Sequence, residues 1–189
     1  MMKGQDIVVL LKLASLDDDI KDSGHDFPSA GLAAGVDPYS VRALGAALRI
    51  SKTEISASLK RSIASGLAIK DRKTGRPKPS RHHLREFIIH GLKFVFPAKP
   101  GAMQSGLPTA FAAPVLRESL HSAGSLIYIW PYAPAKEMGQ SVDPLFKSVP
   151  EACETDSRLY AYLALVDAIR IGNQRESMHA ADLLAQRLG

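Results

Sequence analysis

Few residues of this chain have the types and spacing that catalysis requires. The single cysteine, Cys153, has no obvious basic partner that would lower the pKa of its thiol. No phosphate-binding glycine loop, pair of catalytic carboxylates or Ser-His-Asp signature stands out. An enzyme acting through Tyr128, Trp130 and Tyr132 would require a pocket that the sequence does not define. We therefore expect no enzymatic activity and no catalytic residues.

Three histidines, His82, His83 and His90, raise the question of a metal site. Zinc favours cysteine, histidine and acidic ligands at characteristic spacing, and no cysteine or acidic cluster lies nearby in that spacing. We expect no metal and no cofactor. A second charged group lies near the C-terminus and consists of Asp167, Arg170, Arg175 and Glu176. Ion pairs at helical spacing would explain these residues, and the alternative is a role in binding a ligand or a partner.

Positive charge is concentrated in one block of the sequence. Residues 49 to 99 contain thirteen Lys and Arg but only three acidic residues, which gives this block a net charge of +10. Because the whole chain has a net charge of +5, the remaining residues together carry −5. Such a block is typical of proteins that bind polyanions such as nucleic acids. When Lys and Arg neutralise phosphates, counterions are released, and this release favours binding. A solvated basic face without a partner is the alternative. The cations of the block assigned here to nucleic-acid contact are Lys52, Lys60, Arg61, Arg72, Lys73, Arg76, Lys78 and Arg81.

Two helices separated by a short break would position the first of these cations. The sequence predicts one helix over 40–48 and a second over 52–64. Ser51 and Glu54 have the spacing of a capping box at the start of the second helix, and Gly66 fits a left-handed cap after it.

The second helix is predicted to bury Ile55, Leu59 and Ile63. Its opposite face would then display lysines and short polar residues, which suit entry into a DNA groove. The residues of that face assigned to DNA binding are Lys52, Thr53, Ser56 and Lys60.

A basic hairpin follows, with a short strand at 67–69 and a polar decapeptide at 70–79 that contains a Thr-Gly turn. Pro77 and Pro79 keep the returning strand short. Two helices and a basic hairpin, in this order, are typical of a winged helix-turn-helix. The predicted fold is mainly α with a small β wing: an N-terminal winged helix-turn-helix, a proline-rich segment and C-terminal helices.

The residues from Leu44 to Ser56 and the Ser65-Gly66-Leu67 step resemble the helix-turn-helix of bacterial MarR-like winged-helix regulators, over about residues 4 to 80. The resemblance implies a DNA-binding transcriptional regulator. Ala57 stands where the family often has a long polar side chain, and Ser62 where an apolar one is usual. Segments 90–97 and 165–173 are similar to bacterial winged-helix proteins, some of which resemble abortive-infection antitoxins, and this implies a toxin as partner.

Outside this region the sequence predicts further helices, one loop and one strand. Eight of the twelve prolines lie between 97 and 150 and exclude most long helices there. The final helix should present one apolar stripe of Met178, Ala181, Leu184 and Leu188. The predicted domains are a DNA-binding domain at 1–91 and a helical region for a partner, a ligand or dimerisation at 92–189. The further elements are helices at 4–15, 80–91, 113–122, 156–171 and 175–188, a loop at 17–37 and a strand at 125–130.

Sequence-specific binding of double-stranded DNA is the predicted function, with a homodimer expected because symmetric operators mirror symmetric proteins. No stretch reaches the roughly 18 to 20 apolar residues of a membrane span. The lone cysteine allows no internal disulfide, and no signal-peptide pattern opens the sequence, so we expect a cytoplasmic protein without a membrane partner. The alternative function is a protein-interaction module, such as an antitoxin that binds a cognate toxin through its C-terminal half.

Overall fold

The structure is a computed structural model that describes residues 1–23, 36–120 and 126–189. The chain divides into two compact units, Met1–Leu84 and Arg85–Gly189. The sequence predicted a domain boundary after residue 91. Both units combine helices with a small sheet, so the protein is of mixed α and β composition.

The first unit is organised around one long helix. Helix α1 is almost continuously buried from Gln5 to Leu16 and packs against α2, α3 and β2. The predicted end at residue 15 is wrong, because α1 continues through the acidic residues 17–19 that suggested a loop. The part of that predicted loop at 24–35 lies outside the described residues. The elements are α1 (Gly4–Ser23), α2 (Val41–Leu48), α3 (Lys52–Ala64), β1 (Ala68–Lys70) and β2 (Pro77–Pro79), followed by α4 (Arg81–His90), within which the division falls.

The turn between α2 and α3 is tight. Helix α2 ends at Leu48, and the next residue, Arg49, has a left-handed backbone with a φ of 54°. The N–H of Ile50 then donates to the carbonyl of Gly45 at 3.0 Å. A Cβ at Gly45 would lie 2.8 Å from the carbonyl oxygen of Ile50, so this close approach requires glycine. The predicted bounds of both helices are confirmed to within one residue.

Strands β1 and β2 form an antiparallel hairpin in which Ile69 lies opposite Lys78. The N–H of Asp71 donates to the Arg76 carbonyl and the N–H of Ser80 to the Leu67 carbonyl, both at 2.9 Å. Hydrogen-bonded and non-bonded pairs alternate in such a ladder, so Pro77 and Pro79 both occupy non-bonded positions. Their missing N–H groups therefore cost this ladder nothing, which explains how a strand with two prolines forms.

The second unit contains a sheet that the sequence largely missed. Strand β3 pairs antiparallel with β4 and with β5, and β4 pairs parallel with β5. Only β4 corresponds to a predicted strand, at 125–130, whose residue 125 lies outside the described residues. The prediction of a helical region at 92–189 missed the other two strands, β3 and β5, and prolines do not prevent this sheet, because β3 contains Pro108 and β4 ends at Pro131. The elements are α5 (Leu92–Val95), β3 (Met103–Thr109), a 3₁₀ turn (Ala110–Ala112), α6 (Pro114–Arg117), β4 (Tyr128–Pro131), β5 (Glu137–Ser141), α7 (Val149–Glu154), α8 (Ser157–Ile171) and α9 (Gln174–Leu188).

Helix α8 forms the core of this unit, buried at Leu159 and from Tyr162 to Ile169, and packs against α9. Helix α9 buries Ala180, Leu184 and Leu188, whereas Met178 is 60% exposed and Ala181 is only partly buried, so the predicted apolar stripe is wrong at its first two positions. The helix predicted at 113–122 is reduced to α6 in its described part. No helix in the described ranges is long and apolar enough to span a membrane.

Candidate nucleic-acid interface

Helix α3 begins with half of the predicted capping box. The Ser51 hydroxyl accepts from the Glu54 N–H at 3.3 Å, as the pattern predicts. The Glu54 carboxylate turns instead to the start of α1, where it accepts from Gln5 at 2.5 Å and from Lys3, the residue just before the helix, at 3.4 Å. These two hydrogen bonds and the charge of Lys3 hold the pKa of Glu54 below its ordinary value. Glu54 therefore links α3 to α1.

The buried face of α3 differs from the predicted one. Ile55 is fully buried, but Ser58 and Ser62 are the other buried residues, and Leu59 and Ile63 are only partly covered. The predicted stripe is rotated toward the serines because α1 packs closely against this helix. Small side chains allow that approach.

The outer face of α3 carries the side chains expected of it. Lys52, Thr53 and Lys60 are exposed, and Ser56 is partly exposed. These four residues lie at positions 52, 53, 56 and 60, which share one side of a helix. The exposed cations thus stand at the first turn and near the middle of α3.

Arg61 also belongs to the predicted set, but its guanidinium group binds within the unit. Its Nε and one terminal nitrogen donate to the two carboxylate oxygens of Asp6 at 2.9 and 2.7 Å. Asp6 is fully buried and also accepts from the N–H of Lys3. Burial raises the pKa of Asp6, but the bonds from Arg61 and Lys3 outweigh it, and the net pKa lies below the ordinary value.

The hairpin turn is organised by Asp71. One of its carboxylate oxygens accepts from the N–H groups of Lys73 and Thr74 at 2.9 and 2.8 Å and from the Thr74 hydroxyl at 3.0 Å. These bonds lower the pKa of Asp71. Gly75 closes the turn with a φ of 67°, which only glycine adopts readily. Arg72 and Lys73 are exposed on this ordered turn.

Of the last three predicted cations, which lie in or next to strand β2, one is exposed and two contact carboxylates. Lys78 is exposed at the middle of β2. Arg76, just before β2, lies 3.5 Å from Asp37 and 5.0 Å from the ring centroid of Tyr39. Arg81, just after β2, binds Asp18 at 2.6 Å.

The sequence prediction omitted several exposed cations of the same unit, among them Arg42 on α2, Arg49 in the turn after it and Lys70 at the end of β1. Lys70 falls inside the basic block, so the charge count alone points to it. Arg42 precedes that block, and no sequence signal distinguishes it from an ordinary surface arginine.

The other candidate residues bond locally. The His83 ring lies 3.1 Å from the Ser80 hydroxyl and 3.2 Å from the Gly66 carbonyl, and His90 lies 3.6 Å from Glu86. Among the described residues, no three His, Cys, Asp or Glu side chains come together as a metal site would require. Burial raises the pKa of the Cys153 thiol well above its ordinary value.

The charged group at 167–176 separates into two structural contacts. Asp167 is buried and accepts from Trp130 at 2.5 Å, Thr109 at 3.0 Å and Arg170 at 2.7 Å. Burial raises its pKa despite these donors. Glu176 closes a capping box at the start of α9, and Arg175 is exposed.

Comparison with protein-family models, with curated proteins and with solved structures found no match.

Proposed function

We propose that Met1–Leu84 is a winged helix-turn-helix that binds double-stranded DNA sequence-specifically and thereby regulates transcription in the cytoplasm. The observation that carries this proposal is the placement of exposed cations on two consecutive elements. These are α3 with Lys52 and Lys60, and the hairpin with Arg72, Lys73 and Lys78.

The proposal assigns α3 to the major groove of B-DNA. A helix fits that groove, and its N-terminal residues reach the base edges. Thr53 and Ser56 are short enough to let the helix approach closely, and their hydroxyl groups can bond to base edges or to phosphates. Lys52 and Lys60 would add contacts to guanine or to the backbone.

The hairpin would lie along the sugar-phosphate backbone. Its turn is held by the bonds to Asp71, so Arg72 and Lys73 are presented without the entropy cost of ordering a loose loop on binding. Phosphate contacts of this kind fix the register of the protein and supply affinity without reading the sequence.

Fluorescence anisotropy against upstream DNA and a scrambled duplex, over a series of salt concentrations, tests the proposal. If the five exposed cations each neutralise one phosphate, log K should fall with log salt with a slope of about −4.5. The same affinity for both duplexes would contradict sequence-specific binding. The absence of binding to either duplex at low salt would contradict DNA binding altogether.

Variants separate the two elements. The Arg72→Ala, Lys73→Ala double variant should bind both duplexes more weakly and reduce the slope by about 2. Lys52→Ala with Lys60→Ala should weaken binding and also reduce the preference for upstream DNA. Lys136→Ala, at an exposed site of the second unit, is the matched control and should leave both quantities unchanged.

A second candidate function is binding of a cognate protein, such as a toxin, by the second unit. It is favoured by large apolar residues left exposed there, such as the adjacent Phe94 at 75% and Val95 at 53%. Co-purification with the protein encoded by a neighbouring gene, lost in Phe94→Ser, would support this function. Light scattering of the purified chain tests the homodimer that a symmetric operator would imply.

A further inference from the structure

The ladder that holds the DNA-facing hairpin is short. Strand β2 has only three residues, of which Lys78 alone stands at a hydrogen-bonded position. Only Lys78 can donate to the ladder from within β2, and the bonds of Asp71 and Ser80 close it at either side. A two-stranded hairpin is marginally stable by itself in water. Something beyond the ladder must hold β2 in place.

An arginine fixes the end of β2. The Arg81 guanidinium donates to the Asp18 carboxylate at 2.6 Å and to the Ala14 carbonyl at 3.0 Å. The side chains of Arg81 and Asp18 are only 13% and 14% exposed. Water therefore screens this pair far less than a surface ion pair. Both acceptors belong to α1.

A second arginine fixes the start of β2 through an intermediary. Arg76 lies over the ring of Tyr39 at 5.0 Å and pairs with Asp37 at 3.5 Å. The Tyr39 ring is buried, and its hydroxyl donates to Asp17 at 2.7 Å. Asp17 precedes Asp18 on α1, so consecutive carboxylates of one helix act on the two ends of one strand.

We propose that Asp17 and Asp18 position the hairpin for DNA binding, by holding Arg76 through Tyr39 and by holding Arg81 directly. The proposal rests on the proposed function, and it gives Arg76 and Arg81 a positioning role in place of phosphate contact. It predicts an effect of unusual sign. Removing a negative charge from a DNA-binding protein ordinarily strengthens binding, whereas removing the charge of Asp18 should weaken it.

Two readouts on the full chain test the proposal, with Asp18→Asn as the main variant. Asp22→Asn is the matched control, because it removes the same charge from an exposed site on the same helix. The first readout is amide hydrogen exchange of Asp71 and Ser80, which reports the hairpin without DNA. The second is the affinity for upstream DNA at fixed salt.

In Asp18→Asn we expect both reporter amides to exchange about tenfold faster and DNA affinity to fall about tenfold, each equivalent to about 1.4 kcal/mol. The amide of Ile50, in the turn between α2 and α3, should keep its wild-type rate and so exclude general unfolding of the unit. Asp22→Asn should leave the exchange unchanged and bind DNA at least as tightly as wild type.

Coupling between the partners gives an independent check. If Asp18 acts through Arg81, the double variant Asp18→Asn, Arg81→Gln should show no faster hairpin exchange than Arg81→Gln alone. Tyr39→Phe, which removes only the hydroxyl bond to Asp17, should accelerate exchange at Asp71 more than at Ser80.

Wild-type hairpin exchange in Asp18→Asn would overturn the proposal, whatever the protein binds. If the wild type binds DNA, a DNA affinity of Asp18→Asn equal to or above that of Asp22→Asn would overturn the proposal as well. A wild type that binds no DNA, but in which Asp18→Asn loosens the hairpin, would refute the proposed function and leave the positioning contacts supported.

Discussion

The buried ion pair between α1 and α3 provides the sharpest test of how the first unit holds together. Asp6→Asn leaves the shape of the side chain nearly unchanged but replaces one carboxylate oxygen by an amide. In the wild type both oxygens accept from the Arg61 fork, at 2.7 and 2.9 Å. The amide N–H groups of the asparagine would face a guanidinium that also only donates, so at least one bond is lost.

The expected cost follows from burial. Removing one member of a buried pair typically costs 3–5 kcal/mol, whereas exposed pairs contribute about 0–1 kcal/mol. The Asp6 side chain is fully buried and that of Arg61 is 22% exposed, so water partly solvates the unpaired arginine. We therefore expect Asp6→Asn to lower the free energy of unfolding by about 2–3 kcal/mol.

The effect should depend on pH in a defined direction. The pKa of Asp6 in the folded protein is lowered from its ordinary value of 3.8. Its contribution to stability is then complete above that value and is lost as the pH falls through the lower folded pKa. The difference between wild type and Asp6→Asn should accordingly be full at pH 7 and shrink below about pH 4.

Urea unfolding followed by far-UV circular dichroism, repeated between pH 7 and pH 3, measures both quantities. Glu54→Gln serves as control, because it removes an exposed carboxylate between the same two helices and should change stability much less. Wild-type stability for Asp6→Asn at pH 7, or a loss of stability that does not change with pH, would refute the reasoning.

Three further substitutions test individual contacts. Ser62→Ala should stabilise the protein by about 1 kcal/mol in urea unfolding, because the buried Ser62 hydroxyl has no partner among the described residues; a loss of stability would contradict this. Gly45→Ala should cost about 1–3 kcal/mol in the same assay, since the new methyl would press on the Ile50 carbonyl 2.8 Å away; a neutral effect would show that the turn adjusts freely. Asp167→Asn should lower the free energy of unfolding by about 3 kcal/mol, measured by the fluorescence of the only tryptophan, Trp130, which donates to Asp167. An unchanged unfolding curve would show that the hydrogen bonds to Asp167 contribute little to stability.

Local signals made part of the fold predictable. Ser51 and Gly66 bracket α3, and the Thr-Gly turn lies in the hairpin, because caps and turns depend on neighbours in sequence. The length of α1 could not be read in this way. Its acidic residues 17–19 favour a loop locally, and contacts such as those of Asp17 with Tyr39, distant in sequence, offset that preference.

Strands β3 and β5 of the second unit escaped prediction for a related reason. Strand β3 contains Gly106 and Pro108 and lacks the alternation of apolar residues that marks a strand. A Cβ at Gly106 would collide with the backbone of Trp130 on β4, so the residue that weakens the sequence signal is the one that lets the strands pair. Such pairings become visible only when both strands are placed.

The basic block shows most clearly what a charge count can and cannot predict. Counting correctly located an unusual density of cations, but it treats every arginine alike. In the structure Arg61, Arg76 and Arg81 bind carboxylates of their own unit, while the lysines of α3 and the cations of the hairpin turn stay exposed. The distinction has a physical basis, because the planar guanidinium fork suits paired, partly buried contacts better than the strongly hydrated ammonium of lysine. Within this block, an arginine next to a strand end is therefore as good a candidate for an ion pair inside the unit as for a phosphate contact, and the salt slope of the proposed DNA binding would distinguish the two.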